Sequence, residues 1–137
     1  MSETHEIKMF SVPEANQLLP KLAGWIGELQ KLRGTILAME VEIDMLELVT
    51  GKDDSGVSPA IDTKVDAYNR LVSRFYALVE EIHSTGCFLK DLDMGLVDFY
   101  TLYKNRVVYL CWKLGESEIR WWHDIGCGYG SRQLIES

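Results

Sequence analysis

Residues 18–46 read LLPKLAGWIGELQKLRGTILAMEVEIDML, and the apolar positions Leu18, Leu22, Trp25, Leu29, Leu32, Ile36, Met39, Ile43 and Leu46 step through them by alternating fours and threes. This spacing is a heptad seam, the stripe along which one helix packs on another. Upstream, Ser11-Val12-Pro13-Glu14 forms a capping box, with the Ser11 hydroxyl and the Glu14 carboxylate exchanging bonds with each other's amides at the helix start. Pro20 falls about two turns in, where its missing donor and its ring predict a kink, or a break into a short helix and a long one.

The seam has a partner. Ile61, Val65, Tyr68, Val72, Phe75, Val79 and Ile82 repeat the stepping after a polar, glycine-containing segment, Thr50 to Val57, and a restart at Ser58-Pro59. Gly86 supplies a left-handed stop. Two matched helices joined by a short loop lie antiparallel. At about 1.5 Å per residue the arms reach roughly 40 Å, so part of the hairpin is expected to project or to pair with a second copy. Leu19, Ile26, Leu71 and Leu78 widen the apolar stripe near the base, where the rest of the chain should pack and where a homodimer could bury the surplus.

Beyond Gly86 the period changes to two. Gly95 to Tyr100 and Val107 to Trp112 are rich in β-formers and flank Tyr103-Lys104-Asn105-Arg106, a tight turn. A two-residue loop at Lys104-Asn105 sets Asp98 opposite Cys111, Phe99 opposite Leu110, Tyr100 opposite Tyr109 and Val97 opposite Trp112. One face is then apolar (Val97, Phe99, Leu110, Trp112), and the other carries Asp98, Tyr100, Tyr109 and Cys111, an odd mixture for a plain solvent face. Cys87 to Leu92 is a candidate third strand, Glu118 to Asp124 is left unassigned, and the glycines of residues 126–130 suggest a flexible tail. The predicted fold is α+β: a long antiparallel helical hairpin of coiled-coil type with a small antiparallel sheet at its base. It forms one domain over residues 1–137, with the hairpin at 11–85 and the β-rich part at 86–137.

Composition narrows the partners. The 137 residues hold 14 Lys and Arg against 21 Asp and Glu, a net charge of -7, which repels phosphate backbones and anionic headgroups; neither nucleic acid nor membrane is an expected partner. Most of the excess lies in residues 11–85, with 12 acids and 7 bases, and its default meaning is a solvated helical face. The opening MSETHEIKMF lacks a leader pattern and no apolar run is of membrane length, so a cytoplasmic location is expected. Three cysteines, 87, 111 and 127, make an odd number without framework spacing and suggest reduced thiols.

Three stretches, MFSVPEANQLLPKL, GCFLKDLDMGLVDF and YLCWKLGESEIRWWHDIGCGYGSR, resemble a family of small prokaryotic proteins known as domain of unknown function 2203. The resemblance implies a shared fold and a shared site, and no reaction. Asn16, Lys90, Asp91, Asp98, Cys111, Glu116, His123 and Arg132 fall on its motif; Cys127 does not.

The chemistry-bearing residues concentrate in the same C-terminal part. A zinc site of Cys87, Cys111, His123 and Cys127 lacks the close thiol pair usual for structural zinc, since the thiols lie 24 and 16 positions apart. A harder divalent ion held by Asp91, Asp98, Glu116 and His123 suits the donor types better, with no spacing that enforces it. His123 also fits a general base oriented by Glu116 or Asp98, and equally a structural histidine on a carboxylate. Cys87 follows a helix C-terminus, which disfavours a thiolate nucleophile. Arg132 can reach an anionic ligand, with a surface ion pair as its default. Candidate ligand-binding residues are therefore Asp91, Asp98, Cys111, Glu116, His123 and Arg132, and the candidate metal set is Asp98, Glu116 and His123, expected to converge near the hairpin base. The favoured function is a self-associating binding module for a small anionic ligand or a divalent metal ion. The alternative is a metal-assisted hydrolase or lyase working through His123 with Glu116 or Asp98.

Overall fold

A computed structural model describes residues 7–50 and 59–136. Helix α1 spans Val12–Thr50 and α2 spans Pro59–Ser84. The capping box is present, with the Ser11 amide donating to Glu14 Oε1 at 3.0 Å and the Glu14 amide to Ser11 Oγ at 3.2 Å. The helices run antiparallel: Arg74 pairs with Glu28 at 3.0 Å, the Tyr68 hydroxyl donates to Glu40 at 3.0 Å, and Lys64 pairs with Glu42. The segment expected to form the hairpin loop lies almost wholly outside the described residues.

Pro20 does not break the helix. Its ring lies on the exposed side, while Leu19 and Leu22 on either flank are buried in the core. Anchoring on both sides holds the two halves in one helix despite the lost backbone bond. At the standard rise α1 is roughly 58 Å long; Arg33 still pairs with Asp93 of the β-rich part, and farther out Glu40 and Glu42 bond to Tyr68 and Lys64 of α2.

Gly86 ends the hairpin at φ +100, as its left-handed role requires, and a Cβ there would lie 2.9 Å from Lys8. Five strands follow as an antiparallel meander in the order β1 to β5: Phe88–Asp91, Leu96–Tyr103, Arg106–Lys113, Trp121–His123 and Gln133–Leu134. The central pair has the predicted register, Val97 on Trp112, Asp98 on Cys111, Phe99 on Leu110 and Tyr100 on Tyr109. Lys104 and Asn105 both take positive φ, 50° and 67°, the conformation of a type I′ turn. Gly95 turns β1 into β2 at φ +68, and a Cβ there would lie 2.5 Å from Leu114.

Val97, Phe99, Leu110 and Trp112 meet Ala15, Leu19, Leu22, Ile26, Leu29, Leu78 and Ile82 in one core at the base of the hairpin. Leu19 and Ile26 are more deeply buried than the seam positions Leu18 and Trp25, because the sheet lies on that flank of α1. Leu19, Ile26 and Leu78 are thus taken up by the core, while Leu71, the fourth residue that suggested pairing with a second copy, is half-buried. Several polar bonds stitch the β-rich part to the helices: the Ile119 amide donates to Asn16 Oδ1 at 2.7 Å, Gln30 Nε2 to the Leu92 carbonyl at 3.0 Å and the Leu89 amide to His83 Nε2 at 3.3 Å, and Arg33 pairs with Asp93. The chain before α1 is fixed as well, with the Phe10 amide on the Tyr100 carbonyl at 2.8 Å and the Thr101 hydroxyl on the Phe10 carbonyl at 2.7 Å.

The glycine-containing tail is ordered, against expectation. It forms a short 3-10 turn at Tyr129–Ser131 and then β5, which pairs with β4. Arg132 anchors it, its guanidinium 4.7 Å from the Trp121 ring and 4.2 Å from the Tyr129 ring. Among the described residues no helix is long and apolar enough to cross a membrane.

Leu29 is fully buried and Leu48 is 85% exposed, both on α1. Leu29→Ala should cost about 2–5 kcal/mol by denaturant unfolding, and Leu48→Ala within about 0.5 kcal/mol. Similar costs at both positions would contradict the assignment of the core to the hairpin base.

Candidate functional site

The face of the sheet turned away from the helices gathers the polar residues. Asp98 on β2 faces Cys111 on β3, and His123 enters from β4, where Tyr109 is its register partner and Cys111 pairs with Trp121. Asp98, Cys111 and His123 are 4%, 1% and 2% exposed, and one donor atom from each lies within 4.8 Å of the other two. Strand alternation makes this cluster: positions 98 and 111 sit on the same side of adjacent strands, opposite the core.

Hydrogen-bond accounting at His123 leaves one proton or one cation to be supplied. Nδ1 lies 2.9 Å from the Asp124 carbonyl oxygen, which can only accept, so Nδ1 carries a proton. Nε2 lies 3.2 Å from each oxygen of the Asp98 carboxylate. A neutral ring would then aim a lone pair at an anion in a buried place, a repulsive arrangement that one proton, on the ring or on the carboxyl, or a bound cation removes.

Burial pushes the Asp98 carboxyl above its ordinary range, opposed by His123, by the Cys111 thiol and by the Lys90 charge. The Cys111 thiol is pushed up to about 12, chiefly by burial and next by the neighbouring Asp98 charge, with Arg132 working the other way. Such a thiol stays protonated at neutral pH and is a poor nucleophile without a metal.

Glu116 does not join this cluster. The turn at Gly115 folds it back onto the end of β3, where its Oε1 accepts from the Lys113 amide at 2.7 Å and its carboxylate pairs with Arg132 at 3.0 Å. The convergence of Asp98, Glu116 and His123 is thus corrected to Asp98, Cys111 and His123. Arg132 is 10% exposed in its side chain, a largely buried partner of Glu116 rather than a surface pair. Asp91 is exposed at the rim and caps its own turn, accepting from the Met94 amide at 2.9 Å.

The four-residue thiolate set also separates. Cys87 lies in the core between sheet and helices, its sulfur 3.5 Å from the Ile82 carbonyl, and its thiol is likewise pushed up by burial. Cys127 is exposed, and all three cysteines are free.

Asp98, Cys111 and His123 line a cavity of about 400 Å3. Its other walls include Lys90, Tyr109 and the glycine-flanked Cys127, with Tyr129 beyond. Sequence reasoning placed Tyr109 on the face of Cys111 without assigning it to the site, although the alternation held that signal. Lys90 had only its place in the family motif, because an irregularity in the β1–β2 pairing between Leu89 and Asp91 decides where it points.

The family model described as an uncharacterized conserved protein, DUF2203, matches residues 8–135. The chain belongs to the DUF2203 family. No curated protein and no solved structure matches it. The matched span includes every residue of the DUF2203 chain's cluster and cavity, as well as the hairpin.

Because the folded chain holds the Cys111 proton more tightly than the unfolded chain does, stability should fall as pH rises from about 9 toward 12. Cys111→Ser should flatten part of that decline in unfolding experiments at successive pH values. A thiol reagent at pH 8 should modify one cysteine, Cys127, in the native chain and three after denaturation; rapid labelling of Cys111 would contradict its burial.

Proposed function

We propose that the chain is a metal-dependent binding module in which Asp98, Cys111 and His123 hold a divalent transition ion and the adjoining cavity receives a small ligand. The observation that carries this reading is the buried cluster of three donors, in which His123 Nε2 and Asp98 need a proton or a cation between them. A shared proton fills that role in the metal-free chain. A metal ion fills it together with the third donor, Cys111, which a proton does not need.

The surroundings support the same reading. A metal-binding histidine usually donates its second ring nitrogen to a carbonyl or carboxylate, which fixes the tautomer, and Nδ1 of His123 does this with Asp124. One sulfur, one nitrogen and one carboxylate oxygen match zinc better than magnesium or calcium. Donors on a tetrahedral zinc ion lie about 3.3–3.6 Å apart, inside the spread of these three. A metal would release the Cys111 proton, so uptake should strengthen with pH.

Three protein donors beside an open cavity is also a composition used in metal-assisted hydrolysis. The predicted division of labour does not transfer, since His123 and Asp98 are taken as ligands and Glu116 is engaged by Arg132 and the Lys113 amide. Binding is therefore favoured over catalysis. Calorimetric titration with zinc should give one site per chain. Asp98→Asn, His123→Ala and Cys111→Ser should each weaken it at least about tenfold with the helical circular dichroism intact. Glu116→Gln should bind as the parent does. Unchanged binding in the three donor variants would defeat this reading.

The module also pairs with a second copy, now through the projecting half of α1. Leu37, Val41, Met45 and Leu48 are exposed there and follow one another on the side of α1 away from the seam. In an antiparallel pair, the Glu40, Asp44 and Glu47 flank of one copy would face that of the other, so screening should help association. Sedimentation at micromolar concentration should show dimer increasing with added salt; monomer at both low and high salt would exclude this pairing.

A further inference from the structure

We infer that the cavity beside the metal cluster binds a small organic monocarboxylate, with its head between the ion and the Lys90 ammonium and its body against the aromatic and aliphatic walls. This rests on the metal reading and specifies the ligand of that same site.

Size sets the first limit. A cavity of about 400 Å3 lies toward the low end for small-molecule sites and suits a compact ligand. Its lining divides by chemistry, with Asp98, Cys111 and His123 on one side, Lys90 as the cationic wall, and Leu96, Tyr109, Ile125 and Tyr129 as the apolar and aromatic walls.

Charge sets the second limit. The two positive charges of the ion are matched by the Asp98 carboxylate and the Cys111 thiolate. Arg132, another nearby cation, is matched by Glu116 at 3.0 Å, and Lys113 lies outside the lining with its Nζ 5.6 Å from the Tyr129 ring centre. Lys90 makes no ion pair among the described residues; its Nζ lies 4.9 Å from the Tyr109 ring centre and 5.5 Å from that of Phe88. The two ring faces hold the ammonium without neutralising it, and its charge still acts on Asp98. Asp91, the next residue, also lines the cavity; both side chains are exposed to water, and one Asp91 oxygen is engaged by the Met94 amide.

An ammonium in the lining beside an ion suits an anionic head, and a carboxylate offers two oxygens, one for the ion and one for the ammonium. A phosphate brings nothing to cover the apolar walls. Tyr109 places these elements in sequence, lying under Lys90 and with its ring centre 5.5 Å from that of His123.

The test uses the full chain loaded with cobalt, whose thiolate charge-transfer absorption reports ligation by Cys111 before any anion is added. Benzoate is then titrated while the visible cobalt bands are followed, with acetate and inorganic phosphate in parallel. Benzoate should shift the bands saturably and bind at least tenfold tighter than acetate or phosphate. Lys90→Met should weaken benzoate at least tenfold in protein that still takes up cobalt, and Lys90→Arg should restore most of the affinity. A loaded protein whose bands ignore benzoate, or equal benzoate affinity in Lys90→Met, overturns the inference; tighter binding of phosphate overturns the choice of carboxylate. Failure to load cobalt appears at the first step and overturns the metal reading together with this one.

Discussion

The pairing of β2 with β3 through the turn at Lys104 and Asn105 is the constraint on which the molecule depends. With both turn residues at positive φ, the two-residue loop twists in the sense the strands require and fixes one register. That register sends Val97, Phe99, Leu110 and Trp112 to the helices and Asp98, Tyr100, Tyr109 and Cys111 to the other side. A slip of one residue on either strand would place a carboxylate or a thiol in the core and an apolar ring in the site. Core and site are therefore two faces of one ladder, and neither can be altered in register without the other.

Once the ladder is set, the C-terminal strands complete the polar face. β4 brings His123 over Asp98 and Cys111, and β5 follows with Arg132 lodged between Trp121 and Tyr129. Glu116 serves this assembly instead of joining Asp98, Cys111 and His123: it closes the end of β3 through the Lys113 amide and ties down Arg132. A carboxylate used for structure leaves Asp98 as the one acid in the cluster of three donors, and that sets the charge the site must balance.

Most of the fold was legible because it rests on periodicity. The four-three stepping from Leu18 to Leu46 and from Ile61 to Ile82 gave the helices, and the alternation across Lys104-Asn105 gave the sheet register down to individual pairs. What was not legible depends on neighbours distant in sequence. Pro20 continues a helix because Leu19 and Leu22 are held by strands more than seventy residues later. The glycines near the C-terminus read as loose, yet Arg132 stacks on rings and pairs with Glu116, fixing the tail by contacts that leave no periodic trace. Asp98, Cys111 and His123 were each named as candidates, and alternation, which puts position 111 beside position 98, accounts for two of them lying together. Glu116 was misassigned because the direction of a side chain after a glycine turn is set by φ, +103° at Gly115, and not by spacing.

The central claim, that Asp98, Cys111 and His123 act together as the ligands of one ion, is tested most directly by X-ray absorption at the zinc edge on the zinc-loaded chain. The account predicts one sulfur neighbour at about 2.3 Å and nitrogen or oxygen neighbours at about 2.0–2.2 Å, with the sulfur lost in Cys111→Ser and kept when Cys127 is replaced by Ser. A coordination sphere without sulfur, or one whose sulfur disappears with Cys127 instead, would contradict it.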